Sequence, residues 1–273
     1  MNKNLKKFAR TLTTFFPFVK DLAYFFKRLL RTALNSSVED DFNVIDLFPE
    51  HRGALFLDIG ANQGAAIDVF LKKNKNCKIF SFEPNPSVFR KLRSRFKSNA
   101  RVKLFDFGLG EREGRFELFV PVYRGYEFDG LGSLSADFDD SWLSETLLFY
   151  NRKFLHMREI SCEIKRLDDL NLEPFFMKID VQGFELEVVR GGEATIKKSQ
   201  PIILMESGKK DDAIIRFLGQ FNYRLYRYSK GNFIEGERGS PNSFFMTDEK
   251  YRLIVPGVSK LTSYGSDLKG EAG

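Results

Sequence analysis

The residues best placed to do chemistry sit where short apolar runs end. Leu55-Phe56-Leu57-Asp58-Ile59-Gly60-Ala61-Asn62-Gln63-Gly64 reads as an apolar strand that ends in an acid and turns through glycine into a helix. In a parallel sheet, ligands bind beyond the carboxyl ends of the strands, near the point where the strand order reverses. Gly60 allows a tight turn and close approach of a ligand. Gly64 lets the helix begin without a side chain in the pocket. Asp58 can meet a cationic or hydroxylated ligand. A dinucleotide loop reads Gly-x-Gly-x-x-Gly and sets bare backbone against a diphosphate. Here position 62 is Asn and an acid precedes the first glycine. A carboxylate there would repel a diphosphate. It suits S-adenosyl-L-methionine, which carries a sulfonium, an α-amino group and no phosphate.

Glu83 closes the next apolar run, Phe80-Ser81-Phe82-Glu83-Pro84-Asn85-Pro86. An acid about 20–25 residues after such a loop can accept hydrogen bonds from both ribose hydroxyls of an adenosine. NAD would use the same acid, so Glu83 marks adenosine rather than a reaction. Asp106 follows a third run and is expected either to approach the adenine or to serve as a surface or capping residue. Asp180 and Glu206 end two later runs. A transferred hydroxyl must lose its proton, so a base within hydrogen-bond reach would help. Asp180 is the first candidate, Glu206 the second and His156 the third. Asp180, Glu206 and Asp106 are also hard oxygen ligands that could gather around Mg²⁺ or Ca²⁺. No spacing demands this, and no metal is expected. Lys178 lies on the same side of its strand as Asp180 and can pair with a carboxylate.

These residues need a scaffold, and the hydrophobic pattern supplies one. Strands are expected over 54–59, 78–83, 102–107, 175–180 and 201–206, and helices over 64–73, 86–97, 184–190 and 211–221. Such alternation implies a mostly parallel central sheet with helices on both faces. Segments 114–120 and 160–166 break the alternation and read as an antiparallel strand pair. The insertion between them, 121–159, carries an expected helix over 141–155. It reads equally as a lid over the substrate or as a decoration. Late strands are expected over 223–228 and 243–247. The expected division is a helical arm and linker over 1–50, one α/β domain over 51–256 and a flexible tail over 257–273.

Four motifs in order then resemble the FkbM-type methyltransferases. They are Asp58-Ile59-Gly60-Ala61-Asn62-Gln63-Gly64, Phe82-Glu83-Pro84-Asn85-Pro86, Lys178-Ile179-Asp180-Val181-Gln182-Gly183-Phe184-Glu185 and Pro201-Ile202-Ile203-Leu204-Met205-Glu206. Arg166-Leu167-Asp168-Asp169-Leu170 fits as well, and the likeness covers roughly residues 53–250. The resemblance implies a Rossmann-like class I methyltransferase fold. It implies an S-adenosylmethionine-dependent O-methyltransferase acting on a hydroxyl of a sugar, a glycan or glycolipid, or a secondary metabolite. By matching position, Asp58, Gly60 and Asn62 would line the methionine side, Glu83 would hold the ribose, and Asp180 would face the transferred methyl. The family usually carries an acid where this chain has Gln182. That departure supports the alternative of an inactive binding or scaffold protein on the same fold.

Charge separates the arm from the rest. The 273 residues carry a net +6. Residues 1–34 hold Lys3, Lys6, Lys7, Arg10, Lys20, Lys27, Arg28 and Arg31 against Asp21 alone, which is +7 and leaves −1 for the remainder. A near-neutral body without a Pro-Pro-Tyr-type motif argues against nucleic acid as substrate. The arm reads as an amphipathic helix over 5–34 interrupted at Pro17. Its Phe/Leu stripe either packs on the main domain, the commoner fate, or lies on an anionic membrane surface. Two cysteines, Cys77 and Cys162, build no disulfide framework, and no Cys/His cluster has zinc spacing. No run reaches ~18 apolar residues and no signal peptide pattern is evident. The expected setting is cytoplasmic, with peripheral membrane contact through residues 1–34.

Overall fold

The computed structural model describes residues 3–16, 40–49, 53–134, 140–208 and 211–255. Helix α1 (Lys3–Phe15) and a 3-10 segment (Asp40–Leu47) precede β1 (Leu55–Ile59), α2 (Ala65–Lys73), β2 (Lys78–Phe82), α3 (Pro86–Phe96) and β3 (Val102–Phe105). Then come β4 (Gly108–Leu109), β5 (Gly114–Tyr123), β6 (Tyr126–Glu127), α4 (Ser141–Thr146) and β7 (Leu155–Lys165). The chain continues through β8 (Pro174–Ile179), α5 (Glu185–Gly191), α6 (Glu193–Ser199), β9 (Ile202–Glu206) and α7 (Asp211–Gly219). It closes with β10 (Tyr223–Ser229), β11 (Asn232–Glu235), β12 (Asn242–Thr247) and α8 (Asp248–Ile254).

The main sheet has the order β11-β10-β12-β9-β8-β1-β2-β3. Strands β3, β2, β1, β8 and β9 are parallel, and β12, β10 and β11 extend the sheet antiparallel. The expected α/β architecture is therefore the observed one, and the order reverses between β1 and β8. Alternation sorts the strand side chains onto two faces. Phe56, Phe176, Leu204 and Phe244 meet α2, α3, α8 and the 3-10 segment. Leu57, Met177, Met205 and Phe245 meet α5, α6 and α7. Much of the unusual Phe content fills the first layer. Phe56 packs edge-on against Phe48 and Phe70, with centroids 5.8 and 5.5 Å apart. Burying each such ring contributes about 2–3 kcal/mol relative to exposure.

The antiparallel pair is longer than its sequence suggested. Strands β5 and β7 pair from Gly114↔Ile164 to Tyr123↔Leu155, in a second sheet ordered β4-β7-β5-β6. The helix expected over 141–155 is only α4, because 155–159 pair with 119–123 as strand. Helices α6 and α8 and strand β11 had no clear sequence signal. Of the expected arm, α1 is described, while Pro17, residues 18–39 and the tail from 256 lie outside the described residues. On α1 Thr14 is buried, whereas Phe8, Leu12 and Phe15 are exposed; Val19, Leu22, Phe26, Leu29 and Leu30 of the expected stripe lie outside the described residues. Among the described residues no helix is long and apolar enough to cross a membrane.

Candidate active site

A cleft with about 790 Å³ of empty space opens at the carboxyl ends of β1, β2, β8 and β9. Its floor holds Gly60, Asn62, Glu83, Asn85, Asp180, Gln182 and Glu206. Its walls are Leu109, Leu118, Ile164 and Phe184, with Asp129, Gly130, Gly132 and Leu134 of the insertion. The insertion is anchored there: Ser133 Oγ donates to the Gln182 carbonyl at 2.8 Å.

Strand β2 delivers Glu83 into this cleft. The Asn62 N–H donates to Glu83 Oε2 at 2.8 Å and the Asn85 N–H to Oε1 at 2.9 Å. The carboxylate is thereby fixed in orientation, with one lone pair on each oxygen left for a ligand. Burial pushes its pKa up to about 7, against the pull of those two N–H donors. Asn85 also caps α3, accepting from the Ser87 N–H at 3.0 Å through Oδ1. Its buried Nδ2 has no partner among the described residues.

Two carboxyl groups meet on the other side of the cleft. Asp180 Oδ2 lies 3.2 Å from Lys178 Nζ, and Gln182 Nε2 donates to Asp180 Oδ1 at 2.9 Å and to Glu206 Oε2 at 2.6 Å. Burial acts to raise the Asp180 pKa, but Lys178 and the Gln182 amide outweigh it and hold it below the ordinary value. Burial and the adjacent Asp180 charge push Glu206 up to about 7. Asp180 is therefore the member that holds its charge more strongly, and Glu206 the one that takes up a proton first as pH falls. The loop beneath them is braced by Glu185, whose Oε1 accepts from the N–H groups of Gly183 at 3.0 Å and Val181 at 3.3 Å.

The remaining sequence candidates lie elsewhere. Asp58 lies two residues before Gly60 and pairs in register with Lys178, two residues before Asp180, so it sits beneath the cleft floor rather than in it. It is fully buried, with Lys178 Nζ at 3.5 Å and no hydrogen-bond partner for either oxygen among the described residues. Lys178 is its register partner on β8 and lies between Asp58 and Asp180. Gly64 caps α2 at φ +79°, and a Cβ there would stand 2.5 Å from the Phe96 ring. It serves helix packing rather than the cleft. Asp106 is exposed, because β3 ends at Phe105 and Phe107 takes the buried position. His156 is exposed on β7 opposite Val122. Neither lines the cleft. Asp180 and Glu206 thus come together without Asp106, and among the described residues no three His, Cys, Asp or Glu side chains gather as a metal set.

Sequence reasoning passed over Asn85 and Asp129, and it saw Gln182 only as a departure. Asn85 could have been found from its place beside Glu83. Asp129 had no such signal, since the loop reaches the cleft only through tertiary contacts.

Residues 58–225 match the family model described as the methyltransferase FkbM domain. The 2-O-methyltransferase NoeI of Sinorhizobium fredii is 28% identical over 172 residues, covering 60% of this chain and 68% of that protein. The AMB antimetabolite synthetase AmbE of Pseudomonas aeruginosa is 30% identical over 185 residues. That match covers 59% of this chain and 9% of the much longer synthetase. A solved methyltransferase FkbM from Methylobacillus flagellatus superposes with TM-score 0.46 at 15% identity, covering 71% of this chain and 43% of that one.

Proposed function

Because the chain belongs to the FkbM methyltransferase family, we propose that it transfers a methyl group from S-adenosyl-L-methionine to a hydroxyl of a sugar, glycan, glycolipid or secondary metabolite. The observation that carries this reading is the arrangement of one cleft. A carboxylate fixed by two backbone N–H groups faces it from β2, and an acid pair bridged by the Gln182 amide faces it from the ends of β8 and β9. The name of NoeI, a 2-O-methyltransferase, favours oxygen as the acceptor.

The residues fit the donor. Glu83 would accept from the ribose hydroxyls, and the unused Asn85 Nδ2 is a donor for the nucleoside. Gly60 and Asn62 would border the methionine side, with Gly60 packed against the Asp180 carbonyl. Asp58 would act from beneath the cleft, holding Lys178 beside Asp180. When bound, the donor supplies a methyl already activated by its sulfonium.

The chain's own task is alignment and proton removal. The acceptor hydroxyl must sit in a near-attack geometry within a walled cleft. Its proton needs a base whose pKa lies near working pH. Glu206, raised to about 7, meets that requirement better than Asp180, which stays anionic beside Lys178. Asp180 then orients the hydroxyl and Glu206 takes the proton. Gln182 keeps the two carboxyl groups together, which gives the neutral amide a use that an inactive scaffold would not need.

The test is calorimetric titration with S-adenosylmethionine and S-adenosylhomocysteine, with NAD as control, for wild type and Glu83→Ala. Adenosylmethionine binding that weakens at least about 100-fold in the variant supports the reading and justifies a labelled-methyl screen over sugars and glycolipids. Absence of binding at millimolar donor would overturn it.

A further inference from the structure

Nine large hydrophobic side chains stand exposed among the described residues, and seven come from two touching segments. Phe8, Leu12, Phe15 and Phe16 come from α1 and its end, and Trp142, Phe149 and Phe154 from the insertion. The segments are joined through defined contacts. The Leu148 N–H donates to Thr11 Oγ1 at 2.8 Å, Arg10 stacks over Trp142 at 4.9 Å, and Arg124 lies over Phe15 and Phe154 at 4.8 and 3.9 Å.

Helix α1 docks the wrong way round for a core helix. At about 100° per residue, Phe8, Leu12 and Phe15 share one stripe and Lys7, Thr11 and Thr14 lie to one side of it. The Thr side faces the domain, with Thr14 1% exposed, and the apolar stripe faces out. Phe149 repeats the anomaly: it is 93% exposed at φ +55°, a left-handed conformation unfavourable for a bulky side chain. Neither arrangement stabilises the fold, so both call for an apolar partner.

Charge identifies the partner. Helix α1 carries Lys3, Lys6, Lys7 and Arg10 and no acid; the insertion brings Arg124, Arg152 and Lys153 but more acids than bases in its sequence, so the positive charge of this face rests on α1. Glu145 is exposed nearby, while Asp140 is held by Tyr150 and Arg152. A Lys/Arg-bearing polar face opposite a Phe/Leu stripe describes a helix lying in a membrane interface. Each basic residue near an anionic surface strengthens binding roughly fivefold. A single-stranded nucleic acid would instead want aromatic platforms along a basic groove. We infer that α1 and the insertion form a docking face for an anionic lipid bilayer, with Phe8, Leu12 and Phe149 entering the boundary between headgroups and acyl chains. Trp142 packs edge-on against Phe128, which precedes Asp129 of the cleft wall. The docking face and the cleft therefore share the insertion.

Trp142 is the single tryptophan of the chain, so its emission reports on this face directly. The full chain is mixed with phosphatidylcholine vesicles, with and without phosphatidylglycerol, and with vesicles carrying brominated acyl chains. The expected result is a blue shift and bromine quenching with anionic vesicles, and binding at least about tenfold weaker to neutral ones. Phe149→Ser with Leu12→Ser should weaken binding at least about tenfold with unchanged far-ultraviolet circular dichroism. Lys153→Glu should weaken it less and only at low salt. The inference fails if anionic vesicles leave the emission unmoved, if vesicles bind while Trp142 stays unquenched, or if an RNA oligonucleotide shifts the emission and vesicles do not. Methyl transfer is not read, so the docking face stands or falls apart from the catalytic proposal.

Discussion

The side-chain amide of Gln182 donates to Asp180 Oδ1 at 2.9 Å and to Glu206 Oε2 at 2.6 Å, joining two carboxyl groups from adjacent strands. An acid in its place would set a third carboxyl group beside Asp180 and Glu206 and raise the proton affinity of each. Gln182→Glu should therefore move the acid limb of the kcat profile upward and lower kcat at pH 7 by about tenfold. Donor affinity should hold. A purely structural amide would lower thermal stability and leave the limb in place. A gain in kcat would mean that this chain is impaired by its glutamine.

Glu83 ties pH to donor binding. With two N–H groups already on its oxygens, it can take two ribose hydroxyls only as the carboxylate. Its pKa near 7 then makes the donor Kd rise about tenfold per pH unit below 7 and level off above it. The ligand-free protein should respond in the opposite sense. A carboxyl group whose folded pKa is raised contributes stability below its ordinary pKa of 4.5, and loses it as pH rises through about 7. For buried Glu83 the integrated effect is roughly 3 kcal/mol. Titration calorimetry and urea unfolding across pH 5–8, about the span of these pKa values, check the two signs together.

Much of this arrangement is legible in the chain, for a physical reason. Fully buried parallel strands leave unbroken apolar runs, and the polar residues that end them must face the ligand side of the sheet. Gly60, Asn62, Glu83, Asp180 and Glu206 follow from that rule, and all line the cleft. Depth was the missing step for Asp58, which shares a face with Asp180 but lies two residues short of Gly60 and is fully buried. Asp106 and His156 misled because one follows a strand that ends early and the other lies in an insertion whose β pairing is nonlocal. His156→Ala and Asp106→Ala should accordingly leave kcat and donor Kd within about twofold of wild type, since each side chain is exposed. A tenfold loss in either would return that residue to the site.

Lys178 is the link between the hidden acid and the visible one. Its ammonium lies 3.5 Å from Asp58 Oδ1 and 3.2 Å from Asp180 Oδ2. Burial already raises the Asp58 pKa, and Lys178 is the charge that opposes this. Lys178→Met should cost about 3–5 kcal/mol, the usual effect of leaving a buried charge unpaired. Asp58→Asn in the same background should restore part of that loss, because the orphaned charge disappears. Urea unfolding of both single variants and the double variant measures the coupling. Strict additivity would show that the pair does not communicate.

Gly60 and Gly183 separate conformational strain from steric exclusion. Both adopt left-handed backbone, with φ +82° and +93°. A Cβ on Gly60 would stand 1.9 Å from the Asp180 carbonyl oxygen, a contact that only backbone movement could relieve. A Cβ on Gly183 would meet nothing within 4 Å. Gly183→Ala should cost only the left-handed strain, about 1–2 kcal/mol, with donor binding intact. Gly60→Ala must in addition push β1 and β8 apart at the point where the cleft begins, breaking the Asp180 N–H bond to the Ile59 carbonyl, now 3.0 Å. Donor affinity should fall at least about 100-fold, together with a stability loss greater than that of Gly183→Ala. Equal losses from the two substitutions would show that contact with the Asp180 carbonyl does not control the geometry of the cleft.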